Sequence, residues 1–243
     1  MTAATHPILA GPGHGFAQGV FPLVASAVAL VFGIRLLARF IRRRRPYEGA
    51  WALALLMFAA ASVAMSLGVI RGWQPIDFRI YWLFGAILNV PYLFAGEVYL
   101  LARRRILGHV VLAAVVALSV YAGVEVWSSS LTTAALGATL PLGKDVFGTS
   151  SQAYRLAQIL AFPAYFLLLG GLVWSAWQTR NRTELRHVTA GTVMIALGAT
   201  IIAIGSGVGA GLHVVWLFSL SLAAGIVTMF AGFLRAGRPR RTP

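Results

Sequence analysis

Seven apolar stretches, each close to the roughly 20 residues that a helix needs to cross a bilayer, constrain this chain more than any other feature. They run about 18–41, 49–70, 80–102, 106–127, 154–177, 188–207 and 212–234. In lipid every backbone N–H and C=O needs a partner within the protein, so such stretches form helices or closed barrels. A barrel strand alternates apolar and polar residues. The run Trp51-Ala-Leu-Ala-Leu-Leu-Met-Phe58 shows no alternation. The sequence therefore predicts an all-α, polytopic membrane protein, a seven-transmembrane-helix bundle. Composition agrees: 59% of the 243 residues are hydrophobic and 11% are charged. Soluble domains carry roughly 25% charged residues.

Arginine sets the expected topology. The chain has 20 basic and 6 acidic residues, a net charge of +14. In a soluble protein that charge would suggest nucleic acid. Here the basic residues fall between apolar spans, so no nucleic-acid partner is expected. Arg35, Arg39 and Arg42 to Arg45 lie at the end of span 1, Arg103 to Arg105 after span 3, Arg180, Arg182 and Arg186 after span 5, and Arg235, Arg238, Arg240 and Arg241 after span 7. The other side holds only Arg71, Arg79, Lys144 and Arg155. The positive-inside rule makes the richer side cytoplasmic. The expected organisation is an extracytoplasmic segment 1–17, a transmembrane domain 18–234 with a long outside loop 128–153, and an Arg-rich cytoplasmic tail 235–243. The first 17 residues carry no Arg or Lys, unlike the basic start of a cleavable signal peptide, and no soluble domain is expected at either end. The preference for arginine over lysine suggests a GC-rich bacterium, and hence a multi-pass inner-membrane protein. Arg42, Arg43, Arg44, Arg45, Arg103, Arg104 and Arg105 are the expected contacts for anionic lipid headgroups.

Polar residues inside the spans are the candidate site. Glu97 lies in span 3, six residues before Arg103, or about 9 Å inside the cytoplasmic end at helical rise. Intramembrane carboxylates tend to face the bundle and to mark pathways, although an ion pair with an inner-loop arginine is the plainer alternative. At 100° per residue, Gly85, Asn89, Tyr92, Gly96 and Tyr99 fall within about 80° of one another, and Glu97 follows Gly96 beside the stripe. Pro91 frees a backbone carbonyl near Asn89. Small residues and polar side chains also serve as ordinary helix–helix glue. Span 5 repeats this chemistry with Gln158, Pro163 and Tyr165, so spans 3 and 5 are expected to face each other. Glycines 191, 198 and 205 recur every seven residues on one face of span 6, which invites close approach of a helix. The segment Gly205–Gly211 reads as a tight, flexible hairpin to span 7.

Several chemistries are excluded. The chain has no cysteine, so disulfides and thiolate metal sites are ruled out. His6, His14 and His213 share the outer side without ligand spacing, so no metal site and no cofactor is expected. The only lysine, Lys144, lies in the long loop, which excludes a retinal Schiff base in the last span. No nucleophile–base set is visible, which argues against an enzyme. Two function classes remain. One is a ligand-binding or sensing module whose long outer loop covers a pocket among spans 3, 5, 6 and 7 and which acts through a separate protein partner. The alternative is a small transporter or channel with a polar path along span 3.

Overall fold

A computed structural model of the chain describes residues 12–102, 104–182 and 185–236. Every regular element among them is helical. Seven helices are long and apolar enough to cross a membrane. They are α1 (Pro12–Arg43), α2 (Pro46–Arg71), α3 (Pro75–Leu101), α4 (Arg105–Ser128), α5 (Gln152–Thr179), α6 (Arg186–Gly211) and α7 (Val215–Ala236). The helix ends at Arg43 and Pro46, at Leu101 and Arg105, and at Thr179 and Arg186 lie on one side, here the basic end. The connections 72–74, 129–151 and 212–214 lie at the other, here the loop end.

Local chemistry sets the tight turns. Only Arg44 and Arg45 join α1 to α2. Arg44 is left-handed (φ 53°), its N–H donates to the Phe40 carbonyl, and Pro46 opens α2 where a missing N–H costs nothing. Gly72, at φ 89°, ends α2 in a backbone region that side chains resist, and Pro75 opens α3. Arg71 Nη2 contacts both carboxylate oxygens of Asp77 at 3.0 Å across this turn. Arg79 ties α3 to the C-terminus of α4 by donating to the carbonyls of Val126 and Ser129, two of that helix's orphan acceptors.

The packing order is a ring. α1, α2, α3, α5, α6 and α7 follow one another around it, and α7 closes onto α1. α4 stands outside, against α3 and the start of α5. Burial follows this order: 61% of the apolar window of α2 is inside the protein, against 17% for α4 and 11% for α6. Many large aliphatic and aromatic side chains are exposed along the helices, as a lipid-facing surface requires.

The seven-residue glycine repeat of α6 does meet a partner. A Cβ on Gly198 would lie 2.5 Å from the Gly225 carbonyl oxygen, and one on Gly191 would lie 2.5 Å from that of Gly232. The backbones of α6 and α7 thus touch along a glycine seam. The expected hairpin at Gly205–Gly211 is different. α6 stays helical through Gly211, and the turn is Leu212–Val214, with His213 left-handed at φ 56°. Staying helical keeps these backbone groups bonded while Gly205 and Gly209 lie against Ser221 and Phe218 of α7.

Candidate functional site

Two distorted helices form the site. α3 widens into π-helical turns over Tyr81–Leu88, just before Pro91. α5 does the same over Ala157–Ala161, just before Pro163. A proline lacks the N–H that would bond four residues back, and its ring crowds that carbonyl; a wider turn relieves the conflict. The two widened segments pack against each other, as expected for spans 3 and 5. The inner half of α5 packs on α6, whereas its first ten residues pack on α3 and α4.

A cavity of about 530 Å³ results, in the loop-end half of the ring. It is walled by α2, α3, α5, α6 and α7. Among the described residues, none that lines it is charged. Toward the basic end, a narrow cleft of about 20 Å³ continues between Leu55, Leu93, Leu168 and Met229, side chains that line both spaces. Cavities of a few hundred Å³ with apolar walls and a few polar groups are the usual form of small-molecule sites.

The loop end is closed by aromatic packing. Trp82 stacks on Tyr154 (centroids 6.2 Å apart) and on Phe78 (5.9 Å), and Phe147 tilts against both Phe78 and Trp82. The long loop completes this lid. It makes two short helical turns, Thr133–Gly137 and Gly143–Val146, and buries Leu136, Leu140, Val146 and Phe147. The Trp73 indole N–H donates to the Thr139 carbonyl, and that of Trp82 to the Ala153 carbonyl. The loop covers the aromatic layer and contributes none of the residues that line the cavity.

The sequence-derived polar set divides. Asn89, Gln158 and Tyr165 line the cavity. Asn89 is buried and donates one amide N–H to the Ala54 carbonyl of α2 at 3.0 Å. Gln158 donates to the Tyr154 hydroxyl at 2.7 Å, and the Tyr165 hydroxyl lies 3.3 Å from Thr200 Oγ1 on α6. The other three lie elsewhere. Tyr92 is buried toward α4 and accepts from Ser119 at 3.2 Å, and Tyr99 pairs with His109 at 2.9 Å. Glu97 is 2% exposed and turned toward Gly171 of α5; its Oε2 has no hydrogen-bond partner among the described residues. The stripe fans out because it straddles a seam: Gly85, Asn89 and Gly96 face Ala61, Ala54 and Trp51 of α2, while the tyrosines turn to α4. Of the arginines expected at lipid headgroups, Arg42 to Arg45, Arg104 and Arg105 are exposed at the basic end, and Arg103 lies outside the described residues.

Sequence reasoning missed two parts of this arrangement. One is the wall formed by Tyr81, Trp82 and Tyr154, whose signal was the aromatic density around 73–84. The other is Glu48, which the sequence places beside a basic turn. It is completely buried in the first turn of α2, with one oxygen 2.8 Å from Arg39 Nη2 of α1. Neither carboxylate oxygen accepts a hydrogen bond among the described residues, so the contact is an ion pair. The Arg39 guanidinium also lies over the Phe233 ring of α7, 5.1 Å from its centre. Three helices therefore meet at this pair.

The fold and cavity together define a class: a seven-helix, membrane-spanning bundle with an uncharged cavity in one half. Compared with known proteins, the chain matches no family model, no curated protein and no solved structure.

Proposed function

We propose that this protein is a ligand-binding or sensing module of a bacterial inner membrane, acting through a separate protein partner. One observation carries the reading: a cavity of about 530 Å³ lies under a folded loop and an aromatic lid. A bundle that served only as scaffold would fill such a space, because packing to organic-crystal density is the norm. In the proposed orientation the N-terminus and the loop are outside and the basic end is cytoplasmic, where Arg42 to Arg45, Arg104 and Arg105 meet anionic headgroups. Native mass spectrometry of protein extracted from its own membrane tests the binding role. The expected result is a bound small molecule that is lost in the Ala203→Phe variant, whose ring takes up part of the cavity. A wild-type protein with no bound species, under conditions that retain lipid at the basic end, would count against it. For the orientation, a cysteine introduced at Ser130 should react with an impermeant maleimide from outside, and one at Arg182 should not.

The second reading, a small transporter or channel, keeps one favourable observation: a buried carboxylate, Glu97, with an oxygen that has no partner among the described residues, beyond the inner end of the cavity. Between it and Asn89 the polar residues of α3 turn to different neighbours, so they form no single file. Glu97-dependent flux of protons or cations into liposomes would favour transport.

A further inference from the structure

We infer that the cavity takes an uncharged, long-chain membrane lipid whose head carries hydrogen-bond acceptors, and that this lipid enters sideways from the bilayer between α5 and α6. This rests on the binding role proposed above and names its ligand class.

The route comes from where the cavity reaches the surface. Its exposed lining residues are Gln158, Phe162 and Phe166 on α5, and Ile204 and Gly207 on α6. Every lining residue of α2, α3 and α7 is buried or half-buried. The Tyr165–Thr200 contact joins the two helices on the basic side of this gap. On the loop side, α5 leans to α3. The loop and the aromatic lid close the path to water at that end, so the remaining entrance faces hydrocarbon.

The ligand class comes from the walls. An ionised head drawn into this space would lose its hydration and find no opposite charge, which is costly. An uncharged head finds donors. The Tyr154 hydroxyl accepts from Gln158 and keeps its own proton to give, and Asn89 uses one amide N–H and keeps the second. Tyr81, Trp82 and Tyr154 add flat walls at the same end. Toward the basic end the lining turns to Leu55, Leu93, Leu168 and Met229, an apolar wall for the first part of a chain; the cleft beyond, about 20 Å³, is too small for more, so the rest of the chain leaves through the gap into the bilayer. An isoprenoid quinone and a diacylglycerol both have this chemistry.

The experiment uses the full chain in phosphatidylcholine nanodiscs, with 1-aminoanthracene as a fluorescent cavity probe. Decylubiquinone and dioctanoylglycerol represent the two uncharged lipids, and palmitate at pH 8 the charged control. At least one uncharged lipid should displace the probe, and Ala203→Phe should weaken that lipid by about tenfold or more, while palmitate displaces little. Which of the two displaces identifies the head as a ring or a glyceride. Palmitate displacing as well as the uncharged lipids would overturn the ligand class. Probe binding that is sensitive to Ala203→Phe, with no displacement by either lipid, would overturn this inference and leave the binding role standing. Absence of any binding sensitive to Ala203→Phe would overturn both. For the route, the chain's lack of cysteine allows a clean Phe162→Cys/Ile204→Cys variant. A bismaleimide bridge across the gap should slow lipid exchange, and unchanged exchange would refute sideways entry.

Discussion

Glu48→Gln should be among the most damaging single substitutions of a carboxylate in this chain. Glu48 is fully buried, and its cation, Arg39, keeps only 27% of its side chain exposed. The mutant amide leaves the guanidinium facing α2 and α7 without a counter-charge. Removing one partner of a buried pair typically costs about 3–5 kcal/mol. Partial exposure lets Arg39 regain some hydration, so about 2–3 kcal/mol is expected here. Loss of a negative charge in the first turn of α2 adds about 0.3–1 kcal/mol. For a chain of this size each kcal/mol moves the unfolding midpoint by about 2–4 °C, giving a drop of about 5–15 °C. Thermal unfolding in a mild detergent, followed by circular dichroism, reads this directly. The double variant Arg39→Met/Glu48→Met should recover most of the loss, because a matched apolar pair removes both charges together. A Glu48→Gln protein that melts with the wild type would refute this role for the pair, as would a double variant as unstable as the two single losses summed.

Other outcomes follow from the same geometry. Gly198→Leu forces a side chain onto the Gly225 backbone and should cost about 3 kcal/mol, whereas Gly207→Ala meets nothing within 4 Å and should be neutral or slightly stabilising by the same thermal assay. Asp77→Asn removes the Arg71 pair at a half-exposed site and weakens the acceptor that faces the Gln74 N–H, for about 1 kcal/mol by denaturant titration. Glu97→Gln keeps the shape of a side chain that has no cation within 4 Å among the described residues, so its stability should stay within about 1 kcal/mol of the parent; a loss near 3 kcal/mol would reveal a counter-ion.

The class of fold was legible because membrane physics writes it in long runs. Apolar length marks seven helices, and each overlaps the stretch that hydropathy marked, with ends that differ by up to about five residues. The glycine repeat of α6 was equally readable, since a seven-residue spacing keeps Gly191 and Gly198 on one face whatever the partner. The site was only partly legible. Helical angles grouped Asn89 with Tyr92 and Tyr99, but angles do not say where one neighbour ends and the next begins. α2 took Asn89 and α4 took the tyrosines. Widened turns before Pro91 and Pro163 also alter the angular register, and a fixed 100° step cannot anticipate that. Glu48 escaped notice because it follows four arginines and a proline, a pattern that reads as a solvated turn. Its burial depends on Arg39 and Phe233, which arrive from two other helices.

In the membrane, the cavity between α3, α5 and α6 should be occupied. A density map of the protein in native-lipid nanodiscs would show this without any added probe. Elongated non-protein density is expected under Trp82 and Tyr154, reaching the surface between Phe162 and Ile204. A cavity closed by inward movement of α6, or a water-filled path running past Glu97 to the basic end, would contradict it.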